Sequence, residues 1–535
     1  MQYIIHLYID NYRITIYDRI YGIRQAVFQR VYYLTIQQHT TEFREFDKKR
    51  WMVRFLILAA VATILVLKIY LLLFVMDRIL GVYSFFTTFI LFNILARAYL
   101  AYKDPYLKAK DIDLSNVKLP LVSIVVPVKN EEDNIRNCVL SCVNQSYKNK
   151  EVIIIDDCST DDTPKILGKI RTEVGADKLS IIYLSKSVGK KQAIEVASQI
   201  AKGEIYAFMD SDCDMNSDAA EIAVKIFLSD RLVGAVTGQG RVRGAHSSNI
   251  FLKMQQVYID GSCRVIKGAE SSFDSLTCCS GSLSFYKREA IQDFIHDWAH
   301  DRFLGVDFKF CTDRRMTAHV LATKPKLYNN DILDNKQDRR YKTISILSAG
   351  KDIPHYHNNI PILQIGKDDL DTMKSSSDPD IDDDKARPRA YWKVLFSRSI
   401  KVTIGVPGTL PDLVKQQIRW KKSFLRSLSS TGGIFWKRPF YAAMLYYIQT
   451  GMKFIRPLIL LHAVILLPLS GNILSPVLWL SGLVFTAMIY GVDYRLRHPG
   501  DKLWLYRPLF LLLSTFVYTW LLFWAGITIR KQSWR

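Results

Sequence analysis

The sequence is short of acid and has no paired cysteine units. Lysine and arginine total 72 against 51 aspartates and glutamates, leaving a net charge of +21. All eight cysteines fall between Cys138 and Cys311, and no two form a CxxC unit. That argues against a zinc ribbon, and in a reducing compartment these read as core or site-lining thiols. No small-residue cleavage site follows the first hydrophobic stretch, so it reads as an anchor rather than a signal peptide. The cationic excess invites a nucleic-acid reading. However, the basic residues gather at the edges of apolar stretches (Lys48, Lys49, Arg50 and Arg54; Arg97, Lys103, Lys108 and Lys110), where anionic lipid attracts them. No nucleic-acid partner is expected.

What the chain does have is apolar runs at both ends. Residues 55–76 and 79–96 approach the ~20 apolar residues needed to cross hydrocarbon, and 457–469, 473–492 and 506–529 are comparable. The sequence predicts an interfacial amphipathic segment over 1–50 and two transmembrane helices within 51–103. A soluble domain follows over 104–410, then amphipathic interface helices over 411–452 and transmembrane or re-entrant helices over 453–535. The basic flanks place the soluble domain in the cytoplasm. Three full crossings after it would leave the C-terminus outside, yet Arg530, Lys531 and Arg535 favour the cytoplasm. The expectation is that 440–452 lies along the interface, 457–469 and 473–492 form a hairpin, and 506–529 is re-entrant. Lys453 or Arg456 would then face a polar path beside Trp420.

The soluble domain alternates apolar strands with amphipathic helices, predicting an α/β fold with a mostly parallel sheet covered by helices on both faces. Ligands in such sheets bind off the carboxyl ends of strands. Here those ends carry Asn130-Glu131, Asp156-Asp157 and Asp210-Ser211-Asp212. Asp is also a good helix cap and turn residue, but three successive acidic strand ends on one edge point to a site. Two carboxylates around a small serine suit a hard divalent cation that leaves positions open for phosphate. Lys190 and Lys191 after Gly189 could neutralise phosphate charge at the same edge.

The order PVKNE, DDCSTDDT, GKK, DSD, CTDRR and QQIRW resembles the inverting family 2 glycosyltransferases of GT-A fold, nearest the hyaluronan synthase and chitin synthase branch. The resemblance covers about 121–325 and 400–430, together with the membrane layout. It implies that Asp157 binds the uracil, with Pro127, Asn130 and Glu131 lining the nucleoside pocket. By the same resemblance Lys190 meets the diphosphate, and Asp210 and Asp212 hold Mg2+ or Mn2+, Asp212 most directly. Ser280 and Gly281 would let the acceptor sugar approach the donor, although Ser282 replaces the usual proline. Asp313 is the expected catalytic base and also a good N-cap for the helix that follows it. Gln416, Gln417, Arg419 and Trp420 would meet the donor and the sugar, and Trp534 would close over the nucleotide, though the following Gly-Thr of relatives is missing. The implied enzyme is a processive synthase at the plasma membrane. It would take UDP-GlcNAc, with UDP-glucuronate as a second donor, and extend a polysaccharide through a channel in the bilayer. The alternatives are a chitin-type single-sugar polymerase and a non-processive transferase to a lipid-linked acceptor.

One stretch is foreign to that family. Residues 330–395 include DDLDTMKSSSDPDIDDDKARPR, an acidic Ser/Pro-rich segment that reads as a surface loop. It lacks the glycine and terminal glutamate spacing of a calcium loop.

Overall fold

A computed structural model of the chain describes residues 51–326 and 391–532. The N-terminal segment 1–50, most of the acidic insertion and Trp534 lie outside the described residues. The chain forms two units, Met1–Ile64 and Leu65–Arg535. The described part of the first is helical; the contacts described below lie within the second.

The soluble domain is built on strands β1 (Val122–Val128), β2 (Lys150–Asp156), β3 (Ser180–Tyr183), β4 (Ile205–Phe208), β5 (Cys213–Met215), β6 (Val233–Val242) and β7 (Ser284–Lys287). A small hairpin, β8 (Arg302–Phe303) with β9 (Val306–Asp307), precedes the last strand, β10 (Lys393–Ile404). The main sheet runs β3-β2-β1-β4-β7-β6-β10-β5. The neighbours from β3 to β4 pair in parallel, as do β6 and β10, whereas β7 is antiparallel to both of its neighbours and β5 to β10. The result is a mixed GT-A-like sheet. Helices cover both faces, which is why β1 is buried throughout, Ser123 being its one polar residue, rather than alternating. Ile124 and Val126 pack toward Cys138 and Val139 of the Ile135–Val143 helix, while Val125 faces Ala193 and Ile194 of the Lys190–Ile200 helix. Each such side chain, fully buried, contributes about 1.5–3 kcal/mol.

Strand β10 corrects the boundary of the insertion. Residues 391–395, expected to belong to the acidic loop, lead into the sheet, with Trp392, Val394 and Phe396 buried. A strand that starts directly after a polar run and pairs with β6, some 150 residues earlier, has no local signal.

Five helices among the described residues are long and apolar enough to cross a membrane: Trp51–Phe74, Arg78–Ala109, Phe440–Leu469, Leu474–Arg497 and Leu503–Ile527. Asp77 lies 2.9 Å from the His462 imidazole and its backbone N–H donates to Ser475, so those three residues share one end of the bundle. At the other end Tyr102 donates to the Phe396 carbonyl and Arg497 pairs with Asp260, both in the soluble domain. The expected interfacial segment 440–452 is not separate, because Phe440–Leu461 is one helix with Pro457 inside it. Proline removes an internal hydrogen bond without ending a helix whose flanks are packed, and the chain continues through a π-helical turn, His462–Leu466.

The final segment behaves differently from the hairpin before it. It is broken into Leu503–Tyr506, Arg507–Leu513, Ser514–Tyr518 and Leu521–Ile527. Leu503 packs against Val242 and Val257, Phe510 and Tyr518 against Met254 and Leu413, and Ile529 against Phe308 and Phe310. Gln532 accepts from the Lys309 backbone N–H at 3.1 Å. Both ends of the segment therefore touch the soluble domain.

Candidate active site

The carboxyl ends of β1, β2 and β4 lie side by side, so the turns that follow them meet at one edge of the sheet. After β1, Asn130 takes a left-handed conformation, φ 52°, and its side-chain oxygen accepts from the Thr160 N–H at 2.8 Å. Asn tolerates that conformation better than most residues. The Glu131 N–H donates to Thr163, joining the turn after β1 to the turn after β2. Pro127 lies inside β1 opposite Ile155, with its side chain buried. Asp157 is buried and its oxygens accept from Ser187 Oγ (2.8 Å) and the backbone N–H groups of Val188 (2.6 Å) and Gly189 (3.0 Å). In this arrangement Asp157 pins the loop from which the Lys190–Ile200 helix starts. Gly189, at φ 91°, makes that tight entry possible.

Lys190, at the first position of that helix, donates to Asp210. Burial alone would lower its pKa, but the Asp210, Asp313 and Asp212 carboxylates raise it above the usual lysine range. Burial, and then its neighbour Asp210, push the Asp212 carboxyl up from its ordinary value. Asp210, Asp212 and Cys213 present ligand atoms all within 4.8 Å of one another. Two carboxylate donors suit Mg2+ or Mn2+, and the thiol, which instead donates to Asp212 at 3.0 Å, does not. The residues present fit such an ion.

Gly281 lies between the two acidic groups. Its N–H donates to Asp313 at 3.0 Å, and its carbonyl accepts from the Asp210 N–H at 3.1 Å. A Cβ there would stand 2.9 Å from one Asp313 oxygen and 3.1 Å from Asp210. Gly281→Ala is therefore expected to keep the fold but move one carboxylate. Because a misplacement of about 1 Å at a reacting centre costs about 10²-fold, turnover should fall by that order while thermal unfolding changes little. Unchanged turnover would mean that the close approach serves packing alone.

A cavity of about 20 Å³ opens at this point, lined by Lys190, Ser280, Gly281, Trp298, Thr312 and Asp313 among others. The Trp298 indole N–H donates to the Thr312 carbonyl at 2.9 Å, and the Thr312 hydroxyl donates to Asp313 at 2.6 Å. A second cavity, about 60 Å³, is lined by Glu270, Arg314, Phe424, Thr431, Gln449 and Lys453 among others. Asp313 faces the first cavity and Arg314 the second, so one turn of the Thr312–Ala322 helix stands between them. Burial raises the Glu270 carboxyl and lowers Lys421 to about 8.

The Leu410–Phe435 helix carries the QQIRW residues. Gln417 is buried, and the Gln416 side-chain oxygen is buried without a hydrogen-bond partner among the described residues. Burial lowers Arg419, and the Asp210 and Asp212 charges that oppose this place its guanidinium in their field. Trp420 is 41% exposed and lines neither cavity; the aromatic of this helix beside Lys453 is Phe424, its ring centroid 4.5 Å from the ammonium, contrary to the expectation that Trp420 stands there, and Phe435 stacks on Tyr446 of the same membrane helix.

Sequence reasoning missed the residue that ties these parts together. Asp301, fully buried, pairs with Lys191, Arg315 and Arg426. Those cations come from three of the motif-bearing helices, so one carboxylate fixes their mutual position. Trp298 and Lys267, which donates to Ser280, were also missed. None stands in a motif or a periodic pattern. Arg314 had a signal, its place directly after Asp313, that went unused.

Residues 123–295 match Glycosyl transferase family 2. This stretch is a glycosyl transferase family 2 domain. The chain is 27% identical over 216 residues to an N-acetylglucosaminyltransferase of Neorhizobium galegae, a match covering 40% of this chain and 49% of that protein. It thus spans about half the length of that relative. It is 23% identical over 419 residues to a hyaluronan synthase of Streptococcus pyogenes, covering 77% of this chain and 82% of that one. Among solved structures it resembles the mannosyltransferase PcManGT from Pyrobaculum calidifontis with a TM-score of 0.43 and 16% identity, over 83% of this chain and 99% of that chain. The family 2 domain is flanked on both sides by the candidate membrane helices.

Proposed function

We propose that the chain is a processive, inverting, metal-dependent glycosyltransferase that polymerises UDP-sugars in the cytoplasm and passes the polysaccharide across the plasma membrane. One observation carries this reading: Asp313, 3.0 Å from the Gly281 N–H, faces a pocket shared with Lys190, while its neighbour Arg314 opens onto a cavity of mixed apolar and charged lining that reaches Lys453 of a membrane helix. A second cavity one helical turn from Asp313, bordered by a membrane helix, suits repeated extension of one chain. Charged residues at that depth are expensive unless they face water or a polar cargo.

In this reading Asn130, Glu131 and Asp157, with Pro127 behind them, hold the nucleoside. Lys190 and Arg419 meet the diphosphate. A divalent ion, Mg2+ or Mn2+, held by Asp210 and Asp212, would neutralise the departing diphosphate. Asp313 takes the proton from the acceptor hydroxyl as that oxygen attacks the anomeric carbon and the bond to the diphosphate breaks, inverting the configuration. Ser280 and Gly281 leave room for the acceptor, and Gln416, Gln417 and Trp420 contact the sugar. Trp534 would close over the nucleotide. That role requires the C-terminus on the catalytic side, and the packing of Leu503, Ile529 and Gln532 on the soluble domain supports a final segment that never exits.

The hyaluronan synthase relative, matched over most of its length, favours UDP-GlcNAc with UDP-glucuronate as donors. The N-acetylglucosaminyltransferase relative favours a single-sugar, chitin-type product as the second reading. Purified chain in lipid vesicles should be given each labelled donor alone and both together. High-molecular-weight product only with both is the expected result. Polymer from UDP-GlcNAc alone would select the second reading, and transfer of a single sugar would overturn processivity.

A further inference from the structure

Where the Ile295–Ala299 helix packs on the Lys190–Ile200 helix, three side chains converge that the reaction does not use. Glu195 is buried, and its two oxygens are shared between two imidazoles: His296 Nδ1 lies 2.6 Å from one and His300 Nε2 lies 3.1 Å from the other. The histidines are four residues apart, so they lie on the same face of the chain, with ring centroids 4.6 Å apart. The three ligand atoms all lie within 4.8 Å of one another. No lysine or arginine pairs with Glu195 among the described residues, so the buried carboxylate rests on the two imidazoles.

We propose that Glu195, His296 and His300 form a second metal site, specific for zinc or a similar transition ion and distinct from the Asp210–Asp212 pair. Two imidazole nitrogens and one carboxylate oxygen make an N2O set with the fourth tetrahedral position open to water; zinc bonds of ~2.0–2.2 Å place such donors ~3.4 Å apart, so the His296–Glu195 contact, 2.6 Å here, would open by under ~1 Å as the ion displaces its proton. The half-exposed imidazoles give the ion an entry path, their side chains being 55% and 40% exposed. Imidazole also separates this site from the oxygen-only pair, since it draws zinc, copper or nickel rather than magnesium. The ion would join two helices that build the pocket. One begins at Lys190; the other carries Trp298, two residues from each histidine, whose indole holds the Thr312 carbonyl beside Asp313. Zinc bound here would fix the Trp298 wall against the Lys190 helix.

The test uses full-length protein in detergent with excess Mg2+ and no nucleotide, titrated with Zn2+ calorimetrically and then with Co2+, whose visible spectrum reports tetrahedral coordination. Wild type should take up one equivalent with a tetrahedral cobalt signature and a raised thermal unfolding temperature. His300→Ala and the nearly isosteric Glu195→Gln should each lose that equivalent while retaining the unfolding temperature of the metal-free wild type. Asp212→Asn should keep it, which separates this site from the diphosphate site. The readout is metal binding, so it stands apart from the proposed activity. Absence of zinc uptake by wild type, or an undiminished equivalent in both variants, would leave only a histidine–glutamate ion pair and overturn the proposal.

Discussion

Replacing Asp313 with asparagine is expected to lower sugar transfer by about 10²–10⁴-fold, the usual worth of a positioned base, while leaving UDP-sugar binding intact. The substitution is nearly isosteric, and an amide oxygen can still accept from the Gly281 N–H, which now lies at 3.0 Å, and from the Thr312 hydroxyl, at 2.6 Å. The first turn of the Thr312–Ala322 helix should therefore hold its place. What disappears is the group that accepts a proton, so the loss should fall on the chemical step. The negative charge facing Lys190 also falls by one, yet Asp210 still pairs with that lysine directly. Donor affinity measured by calorimetry beside single-turnover transfer separates the two effects. A parallel collapse of binding would make Asp313 part of the donor pocket and leave the base unassigned.

Asp212→Asn should abolish turnover and the metal-dependent part of UDP binding. An amide offers one neutral oxygen where a divalent ion needs charge, and Asp210 alone, already paired with Lys190, is a poor substitute. Stability should move the other way. Burial and the Asp210 charge both disfavour ionised Asp212 in the metal-free protein, so the neutral variant should unfold at the same temperature or higher when no metal is present. Mg2+ or Mn2+ should raise the unfolding temperature of the wild type and not of the variant. A variant that transfers sugar at the wild-type rate would remove Asp212 from the metal and with it the role of the pair.

The strand ends were legible because each motif is local. The apolar run, the polar turn and the next helix sit within about 25 residues at β1, β2 and β4, and a parallel sheet brings such ends to one edge wherever the intervening helices cross over. That is why Asn130, Asp157, Lys190 and Asp210 lie at the same edge as expected. Asp157 shows the limit of that reading. Its type and position were clear, but the loop N–H groups that it accepts come from residues 187–189, a partnership that no spacing within one motif records.

Hydropathy and period along the chain give the class of the protein: apolar lengths set by the thickness of a bilayer, an α/β domain between them, and carboxylates whose chemistry suits a metal and a base. These are properties of single segments, fixed by hydropathy and period. Tertiary structure alone decided which segments meet. It placed β10 beside β6 after a long polar insertion, put Gly281 between Asp210 and Asp313, gathered Lys191, Arg315 and Arg426 on Asp301, and brought Glu195 to His296 and His300 from a helix about a hundred residues away. It also made Phe440–Leu461 one helix despite Pro457, and packed both ends of the last apolar segment against the soluble domain. The reason is the same in each case. Hydropathy gives the free energy of moving a segment out of water, whereas its destination depends on contacts with partners far away in the chain, which the segment's own residues do not encode.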